Sequence, residues 1–238
     1  MTKHWGMVID QNRCVGCWTC AVSCKSINNE PLGIFWNRVL TGEPSASASV
    51  SGAPPASQAI DVPHGVFPNL ALAYQPTACQ HCADAPCEKV CPVSATFRRE
   101  DGVVLVDFER CIGCRYCLAA CPYGARAFNW EKEQYAPDFP VGYGRDYRTG
   151  GRLVFTPVRP VGVAEKCTFC VERIDVGKKP MCVETCPAGA RIFGDLNDPA
   201  SEVSQAVNRQ GGRQLLADLG TRPSVYYLAV DRQGRLTD

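Results

Sequence analysis

Cys14-Val15-Gly16-Cys17-Trp18-Thr19-Cys20-Ala21-Val22-Ser23-Cys24 is the stretch on which the fold turns, a C-x2-C-x2-C-x3-C run. The same spacing returns at Cys111, Cys114, Cys117 and Cys121, and two variants complete the set: Cys79, Cys82, Cys87, Cys91 and Cys167, Cys170, Cys182, Cys186. All 16 cysteines of the 238-residue chain fall in these four groups, so none is left over. A disulfide framework is a minor reading, because it usually serves chains too short to build a core, and 45% of this one is apolar. Thiols this close along the chain also make poor disulfide pairs but good convergent ligands. Zinc suits two separated cysteine pairs, and the fourth group alone could be such a site.

The first and third groups point elsewhere. Three thiolates in one loop each take a corner of an iron–sulfur cube, while the fourth leaves on a following helix and reaches a different cluster. Pro92, Pro122 and Pro187 directly follow the fourth cysteines of three groups, as in the bacterial ferredoxin run, and Lys25 takes that place in the first. Working outward, Ile9-Asp10-Gln11-Asn12-Arg13-Cys14-Val15-Gly16-Cys17 repeats as Val106-Asp107-Phe108-Glu109-Arg110-Cys111-Ile112-Gly113-Cys114. This is the signature of an internally duplicated unit. Residues 95–106 read as a β-hairpin around an Asp-Gly turn. Cys121-Pro122-Tyr123-Gly124-Ala125-Arg126 is echoed by Cys186-Pro187-Ala188-Gly189-Ala190-Arg191, each before a short strand. The expected fold is α+β, two ferredoxin-like double-cluster modules with loop insertions and a C-terminal extension.

The expected division is residues 1–40 plus 160–197 for groups one and four, and 76–129 for groups two and three. Residues 41–75 form an insertion loop, of which 41–60 is rich in Ser, Ala, Pro and Gly and too poor in large apolar residues to pack. Residues 130–159 connect, and Val141-Gly142-Tyr143-Gly144-Arg145-Asp146-Tyr147-Arg148 there has the composition of either an interface hot spot or an irregular loop. In 198–238, Asp198 as N-cap and Pro199 at the first position predict a helix to about Asn208, then a strand from Ser224 to Val230, clamping the outside of the fold.

A net charge of +1 with no basic block gives no means of holding a phosphate backbone, so no nucleic-acid partner is expected. Neither a membrane-spanning apolar run nor a signal peptide is read in the chain. A Ser-His-Asp set, a phosphate-cradling glycine loop and a dinucleotide fingerprint are likewise missing, so no NAD or flavin site and no catalytic residue is expected. His81 could tune a cluster or simply hold a loop. Trp18 and Tyr116, just ahead of third cysteines, would shield clusters from water. Arg13, Arg110, Arg115 and Lys166 are candidate tuning charges.

The four cysteine groups in this order, the opening Gly6-Met7-Val8-Ile9-Asp10, Glu165-Lys166-Cys167-Thr168-Phe169-Cys170 and Phe193-Gly194-Asp195-Leu196-Asn197-Asp198-Pro199 resemble the four-cluster iron–sulfur subunit of dimethyl-sulfoxide-reductase-family molybdoenzymes. The closing Thr221-Arg222-Pro223-Ser224-Val225-Tyr226-Tyr227-Leu228 is similar to the polysulfide, thiosulfate, tetrathionate, arsenate and sulfite branch. The resemblance implies four [4Fe-4S] clusters: cluster A on Cys14, Cys17, Cys20 and Cys186; cluster B on Cys24, Cys167, Cys170 and Cys182; cluster C on Cys91, Cys111, Cys114 and Cys117; cluster D on Cys79, Cys82, Cys87 and Cys121. Some members replace one third-group cysteine by tryptophan and carry a three-iron cluster; with Cys114 present, all four should be cubanes.

With four protein thiolates per cluster, no iron keeps an open position, so these metals would conduct electrons rather than transform a substrate. Each oxidised cluster with its thiolates carries roughly −2, which turns the sequence charge into about −7 for the loaded protein. The resemblance further implies a molybdenum bis-pterin catalytic subunit and a quinone-reactive integral-membrane anchor as partners. The chain would then be peripheral on the cytoplasmic membrane, on either face. A soluble polyferredoxin, a molybdoenzyme subunit without quinone anchor and a zinc-stabilised module are the alternatives.

Overall fold

The computed structural model describes residues 2–42, 64–71, 73–130 and 146–228. Most of the 41–60 loop and Val141–Arg145 of the candidate hot spot therefore lie outside the described residues. The chain opens with strand β1 (Trp5–Asp10), and the first cysteine group leads into helix α1 (Thr19–Ile27). Strands β2 (Arg38–Gly42), β3 (His64–Val66), β4 (Asn69–Ala71) and β5 (Ala73–Thr77) precede the second group, which carries α2 (Pro86–Lys89). Next come β6 (Thr96–Arg98), β7 (Val104–Val106), α3 (Tyr116–Ala120) in the third group, and β8 (Ala127–Phe128). Strands β9 (Tyr147–Thr149), β10 (Arg152–Phe155) and β11 (Ala164–Glu165) lead to α4 (Val171–Ile174) and α5 (Met181–Glu184) of the fourth group. Strand β12 (Arg191–Asp195), helix α6 (Glu202–Gln210) and strand β13 (Val225–Leu228) follow. Helices and strands are mixed throughout, as an α+β chain requires.

β1 is the middle strand of its sheet, antiparallel to β12 with Met7 opposite Phe193, and parallel to β13 with Met7 opposite Val225. A strand covered on both faces reads as an unbroken apolar run, which is why Met7-Val8-Ile9 shows no polar alternation. Successive side chains still point to opposite faces. Met7 and Ile9 join Cys20, Phe169, Val171 and Cys182 in the main core, whereas Val8 packs with Val203 and Ala206 of α6. The sheet thus separates the cysteine groups from α6. Full burial of each such side chain contributes about 1.5–3 kcal/mol.

Two helix pairs carry the cysteines: α1 packs on α5, and α2 on α3. The expected hairpin is present as β6 and β7, with Phe97 opposite Leu105 and Gly102 at φ 85° in its turn. Strand β8, leaving the third group, pairs with β11, entering the fourth.

Two expectations for the C-terminal part need correction. Helix α6 is capped by Ser201, whose Oγ accepts from the Ser204 N–H at 3.2 Å, and so begins after Asp198-Pro199. Asp198 instead accepts from the Ala200 N–H at 2.9 Å, making the turn that brings Val203 to 3.2 Å from the Cβ position of Gly194. The extension is also not an outside clamp. Strand β13 is built into the central sheet, and Tyr227 on it is 2% exposed, its hydroxyl donating to the Pro76 carbonyl at 2.9 Å. Its described part ends at Leu228.

Candidate metal centres

Each Cys-x-x-Cys loop makes one tight turn, and the residue ahead of its second cysteine is left-handed: Gly16 (φ 68°), His81 (φ 44°), Gly113 (φ 70°) and Phe169 (φ 56°). Groups one and three use glycine there for a second reason as well. A Cβ on Gly16 would lie 2.2 Å from the Tyr74 ring, and one on Gly113 2.3 Å from the Gly162 carbonyl oxygen. Groups two and four place His81 and Phe169 in the strained position, at about 1–2 kcal/mol each. The two rings then stack on each other at 3.7 Å, joining the two loops.

The thiols so delivered line buried cavities. One is bordered by Cys24, Cys167, Cys170 and Cys182, with Cys79 and Arg191 at its edge. A second is bordered by Cys79, Cys82, Cys87 and Cys121, with Arg126 and Lys166. A third is bordered by Cys14, Cys17, Cys20 and Cys186, with Trp18 and Arg191. In the remaining set Cys117 lies near Cys111 and Cys87, Cys91 is half-buried and Cys114 is exposed. All 16 thiols are free. Among the described residues no three His, Cys, Asp or Glu side chains converge on a single-ion site; the thiols are spread around spaces instead.

Donors and buried cations prepare these spaces for a guest that brings acceptor sulfur. Burial pushes the Cys82 and Cys167 thiols up to about 12, and Cys24 and Cys170 rise well above the ordinary thiol range for the same reason. Thiolates are therefore formed there only as metal displaces their protons. Backbone N–H groups already point at sulfur, from His81 to Cys79 at 3.5 Å, Thr96 to Cys91 at 3.4 Å, Phe169 to Cys167 at 3.4 Å and Ala190 to Cys186 at 3.3 Å. Such bonds are a main control of iron–sulfur potentials. Arg126 supplies the most direct test of fit. It is buried beside Cys87 and Cys117, and apart from those sulfurs Nε, Nη1 and Nη2 find no acceptor. Three donors so placed are costly unless acceptors fill the adjoining cavity, and cluster sulfides are such acceptors.

The other candidates divide. His81 is fully buried, with its Nδ1 accepting from the Val104 N–H at 3.1 Å and its carbonyl accepting from Ser224 Oγ at 2.8 Å. Burial holds its pKa well below the usual value, so it is a neutral loop-holding histidine. Trp18 lines a cavity, whereas Tyr116 is 65% exposed. Lys166 is buried at a cavity edge and donates to the Val104 and Cys167 carbonyls. Arg115 is turned onto the Phe128 and Trp130 rings, and Arg13 and Arg110 are exposed.

Sequence reasoning missed three contributors. Arg126 and Arg191 were visible only as the ends of an echoed turn. The stretch 221–224 closes the second group: Ala83 and Asp84 amides donate to the Arg222 and Thr221 carbonyls at 2.8 and 3.0 Å, and Ser224 N–H to Gln80 at 2.9 Å. The Thr221 hydroxyl lies 2.5 Å from that of Tyr123, beside Cys82.

Cysteine sets around buried spaces, supported by amide donors and buried cations, define an iron–sulfur protein with ferredoxin-like domains. Two family models described as 4Fe-4S dicluster domains match the chain, one over residues 70–137 and 156–196 and the other over 13–95. A provisionally named iron–sulfur subunit of a dimethyl sulfoxide reductase from Halobacterium salinarum is 47% identical, covering 94% of this chain and 79% of the relative. The arsenate respiratory reductase iron–sulfur subunit of Shewanella sp. strain ANA-3 is 38% identical, covering 94% and 95%. The iron–sulfur cluster-binding subunit of the menaquinone reductase of Nitratidesulfovibrio vulgaris is also 38% identical, covering 94% and 88%. The chain belongs to this family of iron–sulfur subunits, electron-transfer components of oxidoreductase complexes that are not themselves catalytic.

Proposed function

We propose that the chain carries four [4Fe-4S] clusters and conducts electrons between a quinone-reactive membrane anchor and a molybdenum bis-pterin catalytic subunit acting on a sulfur or arsenic oxyanion. The observation that carries the cluster assignment is the lining of the cavities. The sets Cys14, Cys17, Cys20, Cys186 (A), Cys24, Cys167, Cys170, Cys182 (B) and Cys79, Cys82, Cys87, Cys121 (D) each border one space, which supports the three-plus-one ligand rule. Cys91, Cys111, Cys114 and Cys117 would hold cluster C. When bound, the clusters supply one-electron relay and nothing else, because each iron has its protein thiolate.

The same cavities suggest an order. A and B share Arg191 as lining, B and D share Cys79, and Cys117 of C lies near Cys87 of D. Sets B and D are mostly buried, whereas A and C each expose one cysteine, Cys17 and Cys114. Electrons would enter at one outer cluster and leave at the other, along A–B–D–C. Two modules, 1–40 with 160–197 and 76–129, would carry A with B and C with D. Strand and helix pairing of groups one with four and of two with three supports that division. Relatives named for arsenate respiration and menaquinone reduction support the two partners. Among the described residues no helix is long and apolar enough to cross a membrane, so attachment would come through the anchor subunit.

Anaerobic affinity purification from native membranes, counting metals and identifying co-purifying chains, tests this. Molybdenum on a large subunit together with a hydrophobic anchor supports the reading. An iron-loaded chain that comes without partners makes it a diffusible polyferredoxin, and zinc in place of iron refutes the cluster assignment.

A further inference from the structure

Three of the four fourth-cysteine turns share one backbone shape. The third residue after Cys91, Cys121 and Cys186 is left-handed in each: Ser94 (φ 51°), Gly124 (φ 56°) and Gly189 (φ 58°). Two residues further on stand Thr96, Arg126 and Arg191. One such turn in each proposed module therefore sends an arginine inward, and both arginines are buried, at 9% and 4% exposure.

Arg191 reaches two cysteine sets at once. Its Nη2 lies 3.5 Å from Cys20 Sγ and donates to Asn37 Oδ1 at 2.9 Å, while Nη1 lies 3.6 Å from Cys182 Sγ. Cys20 belongs to set A and Cys182 to set B. Asn37 is itself fixed by donating to the Cys20 carbonyl at 3.1 Å. Arg126 occupies the equivalent place between the other two sets, in reach of the Cys87 sulfur of D and the Cys117 sulfur of C, with no nitrogen or oxygen acceptor for any of its three guanidinium nitrogens.

We propose that Arg191 and Arg126 are inter-cluster bridges, each donating N–H···S bonds to both clusters of its module and raising the reduction potentials of both. The inference rests on the ligand sets proposed above. A buried guanidinium is always charged and its planar fork can serve two acceptors. A positive charge beside a cluster favours its reduced, more negative state, and between two clusters it also offsets their mutual repulsion in a weakly screened interior. Each transfer is then one electron passing between neighbours that share a fixed cation. Neither arginine is a ligand; both are positioning residues for charge.

The test is an anaerobic redox titration of the purified complex followed by EPR, with signals assigned from single Cys→Ser variants of each set. In Arg191→Gln the reduced fraction of both A and B at fixed potential falls at least about tenfold, equivalent to 59 mV for a one-electron couple, while C and D are unmoved. Arg126→Gln shows the mirror image. Lysine at either position restores part of the shift, since it keeps the charge but loses the fork. Four clusters at unchanged potentials in both Gln variants overturn the inference and leave the ligand sets standing, whereas a shift confined to one cluster of each module, or falling on the other pair, overturns the bridging geometry. Should the Gln chains lose iron, wild-type complex labelled with guanidino-15N arginine answers instead. Pulsed EPR then shows 15N coupling on both clusters of each pair, and absence of coupling refutes the proposal.

Discussion

Alanine at Gly113 isolates what close packing around a cysteine loop contributes. Two costs are built into the position. Its φ of 70° is left-handed, which costs an L-residue about 1–2 kcal/mol. A Cβ there would also stand 2.3 Å from the Gly162 carbonyl oxygen, a backbone atom held because Gly162 N–H donates to the Asn129 carbonyl at 2.8 Å. Overpacking of this kind adds about 1–3 kcal/mol. Gly177 is the internal control, with φ 76° and nothing within 4 Å of its Cβ position, so Gly177→Ala bears the first cost alone. The difference corresponds to a roughly 5- to 150-fold faster loss of the cluster on Cys111, Cys114 and Cys117. Anaerobic bleaching of visible absorbance at fixed denaturant, with EPR to identify which cluster goes first, measures it. Equal rates in the two variants would mean that contact between the third-group loop and the 158–163 strap does not hold this centre.

Three further outcomes are expected. Arg159 and Glu165 form a fully buried ion pair at 2.9 Å, and Arg159 also donates to the Asn28, Asn29 and Thr156 carbonyls. Arg159→Met should cost about 3–5 kcal/mol in denaturant stability, and Arg159→Met with Glu165→Leu markedly less; equal costs would refute the charge argument. Glu30 is buried, and that burial pushes its carboxyl up to about 7. The folded chain thus holds a proton that the unfolded one releases near 4.3, so stability is greatest below that pH and falls as pH rises toward 7, by about 3 kcal/mol. Glu30→Gln should flatten the profile in that window, and an unchanged slope would rule Glu30 out as its source. Cys114→Ala should leave clusters A, B and D intact by EPR and remove or convert only C; collapse of all four would show that the outer centre is structural for the rest.

The cysteine groups were legible because spacing alone dictates which thiols share a loop. The hairpin was legible because the turn pair Asp101-Gly102 is followed at once by the apolar run Val103-Val104-Leu105-Val106. What escaped was long-range. The parallel pairing of β13 with β1 joins opposite ends of the chain, and no local periodicity reports whether a strand ends up central or peripheral. Trp18 and Tyr116 stand one position apart in the register of the repeat, Trp18 matching Arg115 and Tyr116 matching Thr19, and they differ in burial: Trp18 packs against a core that includes Val39 of β2. Tyr116 remains exposed. The start of α6 was misplaced because Asp198-Pro199 is itself a good N-terminal signal, whereas the helix is capped by Ser201, and contact of Val203 with β12 accompanies that start. Arg126 and Arg191 stood in an echo that sequence alone reads as a turn; their meaning depends on which cysteine sets face each other across the fold.

In the proposed assignment sixteen thiolates hold four cubanes. Iron and acid-labile sulfide per chain, measured on the anaerobically purified protein with EPR spin quantification after full reduction, test it most directly. Four cubanes require about sixteen irons, about sixteen sulfides and about four reducible centres per chain. Eight irons, or zinc with no sulfide, would contradict it.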